Sequence, residues 1–282
     1  MNAHKATITS IFDGTTLIEI PFFQRSYVWD KYLWERFLND MEFTVKTKSP
    51  HFLGTLIFKD NGTPKSSEPY STQLLLIDGQ QRLTTYLIFL KVLCLKLGQS
   101  LTFDSHYRFP DTNDLSLQHG KNDRMTAPVS ITDDSSKSRV VQAYNFFVES
   151  LDTSKLNYTT IVGKTHFVRI DLDANDDEQQ IFDSLNSLGV NLTTSELLKN
   201  YFFSRNNLTD YQTIWEPVFD NSVATKEYWD TIIETGRIRR PLIDIFFDAY
   251  FQLFIQNKKY SISTEDKLIY ARTDRLSNSY QS

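Results

Sequence analysis

Short apolar runs and helical stripes alternate along the chain and predict a mixed α and β protein. Leu74 to Ile77 is a run of four apolar residues, the mark of a buried strand. Asp78–Gly79 breaks that run, since glycine adopts backbone angles that other residues resist. Leu83, Leu87, Leu90, Cys94 and Leu97 then recur at helical spacing, and Tyr86, Phe89 and Leu93 widen the stripe. This predicts a long amphipathic helix. Gln80, Gln81 and Arg82 therefore stand at a strand–turn–helix corner. Upstream, His51 to Phe58 predicts a strand in which Gly54 permits close backbone approach. The two strands are expected to pair as a hairpin across the polar loop 60–72.

The flanking pattern is weaker at the start and mostly helical later. Ile11–Phe12 and Leu17–Ile18 are short apolar pieces separated by Asp13–Gly14. Ile20 to Trp29 reads as extended, because Pro21 disfavours helix before it and lacks an N–H. Asp30 is a good N-cap for a helix carrying Leu33, Trp34, Phe37, Leu38 and Met41 on one face. Residues 102–136 are polar and weakly patterned. Val140, Tyr144, Phe147, Val148 and Leu151 predict another helix, and residues 166–172 a strand. Asp176–Asp177–Glu178 supplies acids to a helix first turn, and Gly189 suits its C-terminal end. Thr193 with Glu196 forms a capping box for a helix through Phe202. Further helices are expected at 211–219, 228–233 and 242–254, with Pro241 in a first turn. Residues 261–282 read as the start of an element whose partner is missing. The fold class expected is α+β. Residues 1–100 form a small α/β domain and 101–136 an elaborated polar segment. Residues 137–282 form a mainly helical domain with one returning strand.

Composition narrows the classes. The 282 residues are 40% hydrophobic and 14% aromatic, enough to bury a substantial core. The net charge of -5 argues against a generally basic nucleic-acid binder and leaves a local groove open. The single cysteine, Cys94, allows no disulfide within the chain and reads as a small core residue. No apolar run follows the N-terminus, and the stretch from Tyr86 to Leu97 is too short to span a bilayer. A cytoplasmic protein with no membrane partner is expected.

The corner suits an anion. A helix first turn leaves backbone N–H groups unpaired and carries partial positive charge. Arg82 adds a planar fork matching phosphate oxygens, and Thr84 and Thr85 add hydroxyls. An acid at such a site, Asp78, is best explained by a bound metal or a polarised water. The alternative is a plain turn and cap, in which Asp78–Gly79 turns the chain and the glutamines satisfy loose amides. Gln24, Arg25, Tyr27 and Trp29 form a second polar and aromatic set just before a helix, either an aromatic staple or another phosphate or base contact.

Other catalytic signatures fail. Gly163–Lys164–Thr165 resembles the end of a phosphate-binding loop, but Tyr158 stands where its first glycine belongs, so a loop before a strand is expected. The five histidines are scattered, with no zinc motif and no nucleophile elbow. Asp171 and Asp173 share a strand face without the Glu-x-Lys of a nuclease, and read as solvated acids.

Four segments in order carry a family resemblance: Ile20–Pro21 with Gln24–Arg25, Tyr27 and Trp29; Phe52–Leu53–Gly54; Ile77 to Thr85; and Ile181–Phe182 with Leu185–Asn186–Ser187 and Gly189. Together they resemble the N-terminal domain of GmrSD-type restriction endonucleases, the DGQQR-motif family, over most of residues 10–205. The resemblance implies a ParB/sulfiredoxin-like mixed sheet and an NTP-binding, NTP-hydrolysing module of anti-phage defence. It ties nucleotide binding and hydrolysis to Asp78, Gly79, Gln80, Gln81 and Arg82, with Gln24 and Arg25 beside them. The family carries Tyr where this chain has Phe23, so any role of that hydroxyl is absent. Many members add a His-Asn-His nuclease domain. This chain shows no histidine cluster, so cleavage is expected from a partner or a further domain.

The expected mechanism places a nucleoside triphosphate, GTP or ATP, between the Gln24–Arg25 segment and the corner. Arg82 and Arg25 neutralise phosphate charge as it grows in the transition state. Asp78 holds Mg²⁺ or orients the attacking water, and Gln80 or Gln81 positions that water or reads the base. Thr84 and Thr85 contact phosphate, with Tyr27 and Trp29 behind. Asn186, Lys199 and Asn200 either close the site or serve as caps and a solvated helix end. Two rivals stand: a non-catalytic DNA-sensing module that stacks a base on Tyr27, Trp29 or Trp34, and a nucleotide-gated switch.

Overall fold

The computed structural model describes residues 2–21, 24, 26–62, 68, 70–118, 138–173, 176, 196, 198–199, 203, 208–235 and 238–254. The chain forms two units, Met1–Glu178 and Gln179–Ser282.

In the first unit the elements run β1 (Asn2–Thr7), α1 (Ile8–Ile11), β2 (Thr16–Glu19), α2 (Lys31–Thr47), β3 (His51–Asp60) and β4 (Thr72–Asp78). They continue as α3 (Gln80–Lys96), α4 (Ser100–Tyr107), β5 (Leu117–Gln118), α5 (Arg139–Ser150), α6 (Tyr158–Lys164) and β6 (Thr165–Leu172). The strands form one mixed sheet in the order β1–β6–β3–β4–β2–β5. β3 and β4 pair antiparallel, as their hairpin predicts, while β6 lies parallel to β3 and antiparallel to β1. The class is α+β.

The helices follow the expected local signals. Asp30 accepts from Leu33 N at 3.3 Å at the head of α2, which buries Trp34, Phe37, Leu38 and Met41. α3 departs from the amphipathic expectation: it is buried continuously from Leu83 to Leu90 and again from Val92 to Cys94. A helix apolar on all sides belongs inside. Its rings meet those of its neighbours, with Phe37 and Phe89 centroids 5.3 Å apart and Phe89 and Phe147 5.7 Å apart. Its two lysines are accommodated at the margins. Lys96 donates to Leu151 O at 2.8 Å, and burial pulls the pKa of Lys91 down.

Three boundaries differ from the sequence reading. The division between units falls at Glu178, so residues 138–173 belong to the first unit rather than to the helical half. The reason is β6, which inserts between β1 and β3. The start of the polar segment forms α4 and β5, because Phe103, Tyr107 and Phe109 are buried. Gly163–Lys164 ends α6 rather than lying in a loop. The predicted helix at 176–189 and the Thr193–Glu196 capping box lie largely outside the described residues, as do 261–282.

In the second unit a single helical turn, Leu208–Asp210, runs into a π-helix, Tyr211–Asp220, which contains Pro217. α7 (Val223–Asp230), a hairpin of β7 (Ile232–Thr235) and β8 (Ile238–Pro241), and α8 (Leu242–Phe254) follow. The helix expected at 228–233 is corrected. α7 stops at Asp230, and Ile232 and Ile233 enter the hairpin, paired with Pro241 and Arg240. Pro241 ends β8 immediately before α8.

Candidate functional site

One backbone break builds the corner. Gly79 stands at φ 99° between β4 and α3. A Cβ there would lie 2.4 Å from Leu56 Cδ2 and 2.8 Å from the Thr55 carbonyl oxygen. Conformation and space both demand glycine. Leu83 N donates to Gly79 O at 3.0 Å and closes the first turn of α3.

Gln24, Gln81, Tyr27 and Thr85 make hydrogen bonds that join Gln24 and residues 26–28 to this corner. Gln24 is buried, and its Nε2 donates to Leu76 O at 2.7 Å and Ile77 O at 3.0 Å. Gln81 clasps the same segment: Val28 N donates to its Oε1 at 2.9 Å, and its Nε2 donates to Ser26 O at 3.1 Å. A chain of hydroxyls lies behind. Trp34 Nε1 donates to Tyr27 Oη at 2.8 Å, and Thr85 Oγ1 donates to Gln81 O at 2.8 Å. Each hydroxyl has one proton, so across the 2.6 Å contact between them Tyr27 donates to Thr85. Thr84 and Thr85 are both fully enclosed, and Trp29 is half-buried against the core.

Asp78, Gln80 and Arg82 remain partly open. Gln80 is half-buried at the first position of α3. Arg82 Nη2 donates to Asp78 Oδ2 at 2.9 Å, with the two side chains 28% and 35% exposed. The guanidinium lies against the bare Cα of Gly54, where a Cβ would come within 2.8 Å of Nη1 and 3.3 Å of Cζ. Gly54 has φ 114°, and the β3–β6 register shifts between Phe52 and Thr55. β3 therefore bulges where Arg82 crosses it. Arg82 Nε is buried without a hydrogen-bond partner among the described residues.

The other expected residues are placed as follows. Lys199 is in the second unit, deeply buried, with Nζ 3.2 Å from Asp220 Oδ2. Tyr211 donates to the same oxygen at 2.5 Å. Burial lowers the pKa of Lys199, with Asp220 opposing, and burial raises that of Tyr211, with the Asp220 charge adding to it. Asp220 and Tyr211 carried no sequence signal, since their partner is distant in the chain. Asp171 is engaged by Arg169 at 2.8 Å rather than merely solvated. Cys94 is buried, which pushes its thiol up to about 11. Arg25, Asn186 and Asn200 lie outside the described residues.

Among the described residues no three His, Cys, Asp or Glu side chains gather as a metal site. Magnesium is commonly held by one or two carboxylates together with phosphate oxygens and waters. Asp78 fits that limited role through Oδ1, since Oδ2 already accepts from Arg82.

Fold and corner together define an α+β domain whose strand–turn–helix corner carries Asp78 and Arg82. Residues 8–203 match the family model described as the N-terminal domain of the GmrSD restriction endonuclease. The chain belongs to this family, which links it to restriction systems. No curated protein matches it. Among the described residues no helix is long and apolar enough to cross a membrane.

Proposed function

We propose that the Asp78–Arg82 corner binds and hydrolyses a nucleoside triphosphate, GTP or ATP. Its nucleotide state then governs DNA recognition or cleavage by a partner nuclease domain or subunit. The observation that carries the reading is the partly exposed Arg82 side chain, held on Gly54 beside Asp78 at the first turn of α3. Arg82 neutralises phosphate charge where it develops. Asp78 orients the attacking water or holds nucleotide-borne Mg²⁺ through Oδ1, and Gln80 positions the water. Mg²⁺ supplies charge neutralisation across the phosphates when bound. Gln24, Gln81, Tyr27 and Thr85 support the corner through their hydrogen bonds.

The test is binding and turnover of the four ribonucleoside triphosphates with Mg²⁺, comparing wild type with Arg82→Ala. Wild type binds and turns over at least one nucleotide, and the folded variant does neither. Equal binding by the variant removes Arg82 from the site. No binding by folded wild type turns the reading to a DNA-sensing module. Tyr27 and Trp34 do not favour that module, since both are 4% exposed and hydrogen-bonded to each other.

A further inference from the structure

We infer that the Asp78–Arg82 pair is a latch opened by phosphate, with Asp78 the displaceable counter-ion of Arg82. The inference rests on the reading that this corner takes a phosphate group, and adds how binding and catalytic readiness are coupled. Three features of the pair point to it.

The pair is weakly held. Both partners are about one-third exposed, and exposed pairs of this kind contribute little. The latched arginine is also incompletely satisfied. Its Nη2 reaches Asp78, while its Nε is closed off from solvent with no acceptor. A buried donor left unpaired is unfavourable, so the latched position carries its own incentive to open. Finally, only the glycine at position 54 makes room for the guanidinium on β3. Among the described residues, no side chain of β3 ties Arg82 to that surface.

A phosphate presents several acceptor oxygens and engages two guanidinium N–H groups at once, which one carboxylate oxygen does not. When it draws Arg82 off Gly54, Nε gains a partner and Asp78 is released. Both Asp78 oxygens then become available to a water or a cation. The carboxylate is kept occupied until phosphate arrives, so catalytic readiness follows from binding.

The test uses tripolyphosphate without divalent cations, titrated into wild type, Asp78→Asn, Arg82→Ala and the double variant. Asn preserves the shape and an acceptor oxygen while removing the charge. Asp78→Asn binds tripolyphosphate about two- to fivefold tighter than wild type, the range expected from losing a weak competing pair. The gain disappears in the Arg82→Ala background. The same gain in that background marks plain charge repulsion and overturns the latch, as does equal or weaker binding by Asp78→Asn. A second readout needs no variant. The Arg82 Nε–H resonance moves downfield in ¹⁵N–¹H NMR when tripolyphosphate gives it an acceptor; a resonance that does not move overturns the latch. Wild type that hydrolyses a nucleotide while failing these tests loses only the latch. Wild type and Asp78→Asn that bind neither tripolyphosphate nor nucleotide lose both readings.

Discussion

In the first unit Arg82 and Asp78 meet at 2.9 Å with 28% and 35% of their side chains exposed; in the second, Lys199 and Asp220 meet at 3.2 Å with 6% and 9% exposed. Both pairs join a cation to an aspartate, yet their surroundings give them opposite roles. Water screens the first pair and competes for it, so it can exchange partners at low cost. The second has left water. Each of its charges depends on the other, and Tyr211 adds a hydrogen bond to the shared carboxylate oxygen. The open pair is suited to ligand chemistry. The closed one fixes the π-helix at both ends, since Tyr211 and Asp220 are its first and last residues.

The comparison breaks most visibly at the buried pair. Lys199→Ala is expected to destabilise the protein by about 3–5 kcal/mol, because it strands a buried carboxylate. Denaturant unfolding followed by tryptophan fluorescence measures it, since Trp215 packs on Phe203 and Phe247 in the same unit. Lys199→Met with Asp220→Asn should lose markedly less than Lys199→Ala, because neither charge is left alone. A loss below 1 kcal/mol for Lys199→Ala, on the scale of an exposed pair, would erase the distinction between the two sites.

Next in size are changes that deform the corner without touching its charges. Gly79→Ala is expected to cost about 2–3 kcal/mol, from strained backbone and a Cβ driven into Leu56 and the Thr55 carbonyl. Tyr27→Phe is expected to cost about 1–2 kcal/mol, since Trp34 Nε1 is left buried without its acceptor. If Tyr27 served a bound base instead, Tyr27→Phe would leave thermal unfolding unchanged. Calorimetry of the free protein separates these cases.

How much of this was legible in the sequence follows from the range of each interaction. The break at Asp78–Gly79, the cap at Asp30 and the β3–β4 hairpin are written in adjacent residues, and all three were readable. β1 was not: its Asn2, His4 and Lys5 are polar because an exposed edge strand needs no apolar alternation. The β7–β8 hairpin was misread because Ile232 and Ile233 continue the helical spacing of α7. At the corner, Asp78 and Arg82 are four residues apart, and their proximity could be inferred. Gln24, Gln81, Tyr27 and Thr85 bond across more than fifty positions, apart from the local Thr85 to Gln81 contact. Their residue types fit ligand contacts and internal clasps equally well. Only the fold shows the internal contacts they make.

The smallest stability effect is expected where the functional effect is largest. Arg82→Ala removes one partly exposed pair and relieves a buried Nε with no partner among the described residues, so unfolding should shift by at most about 1 kcal/mol. Nucleotide binding should nevertheless disappear, because the corner loses its fixed positive charge and keeps Asp78. Arg82→Lys sharpens the point. It retains charge but not the planar fork, so binding should return only in part. Thermal unfolding and nucleotide titration on the same samples decide the matter. Unfolding lowered as far as in Lys199→Ala, with binding lost only in proportion to the unfolded fraction, would make Arg82 a structural residue. The two ion pairs would then be one kind of feature at two depths.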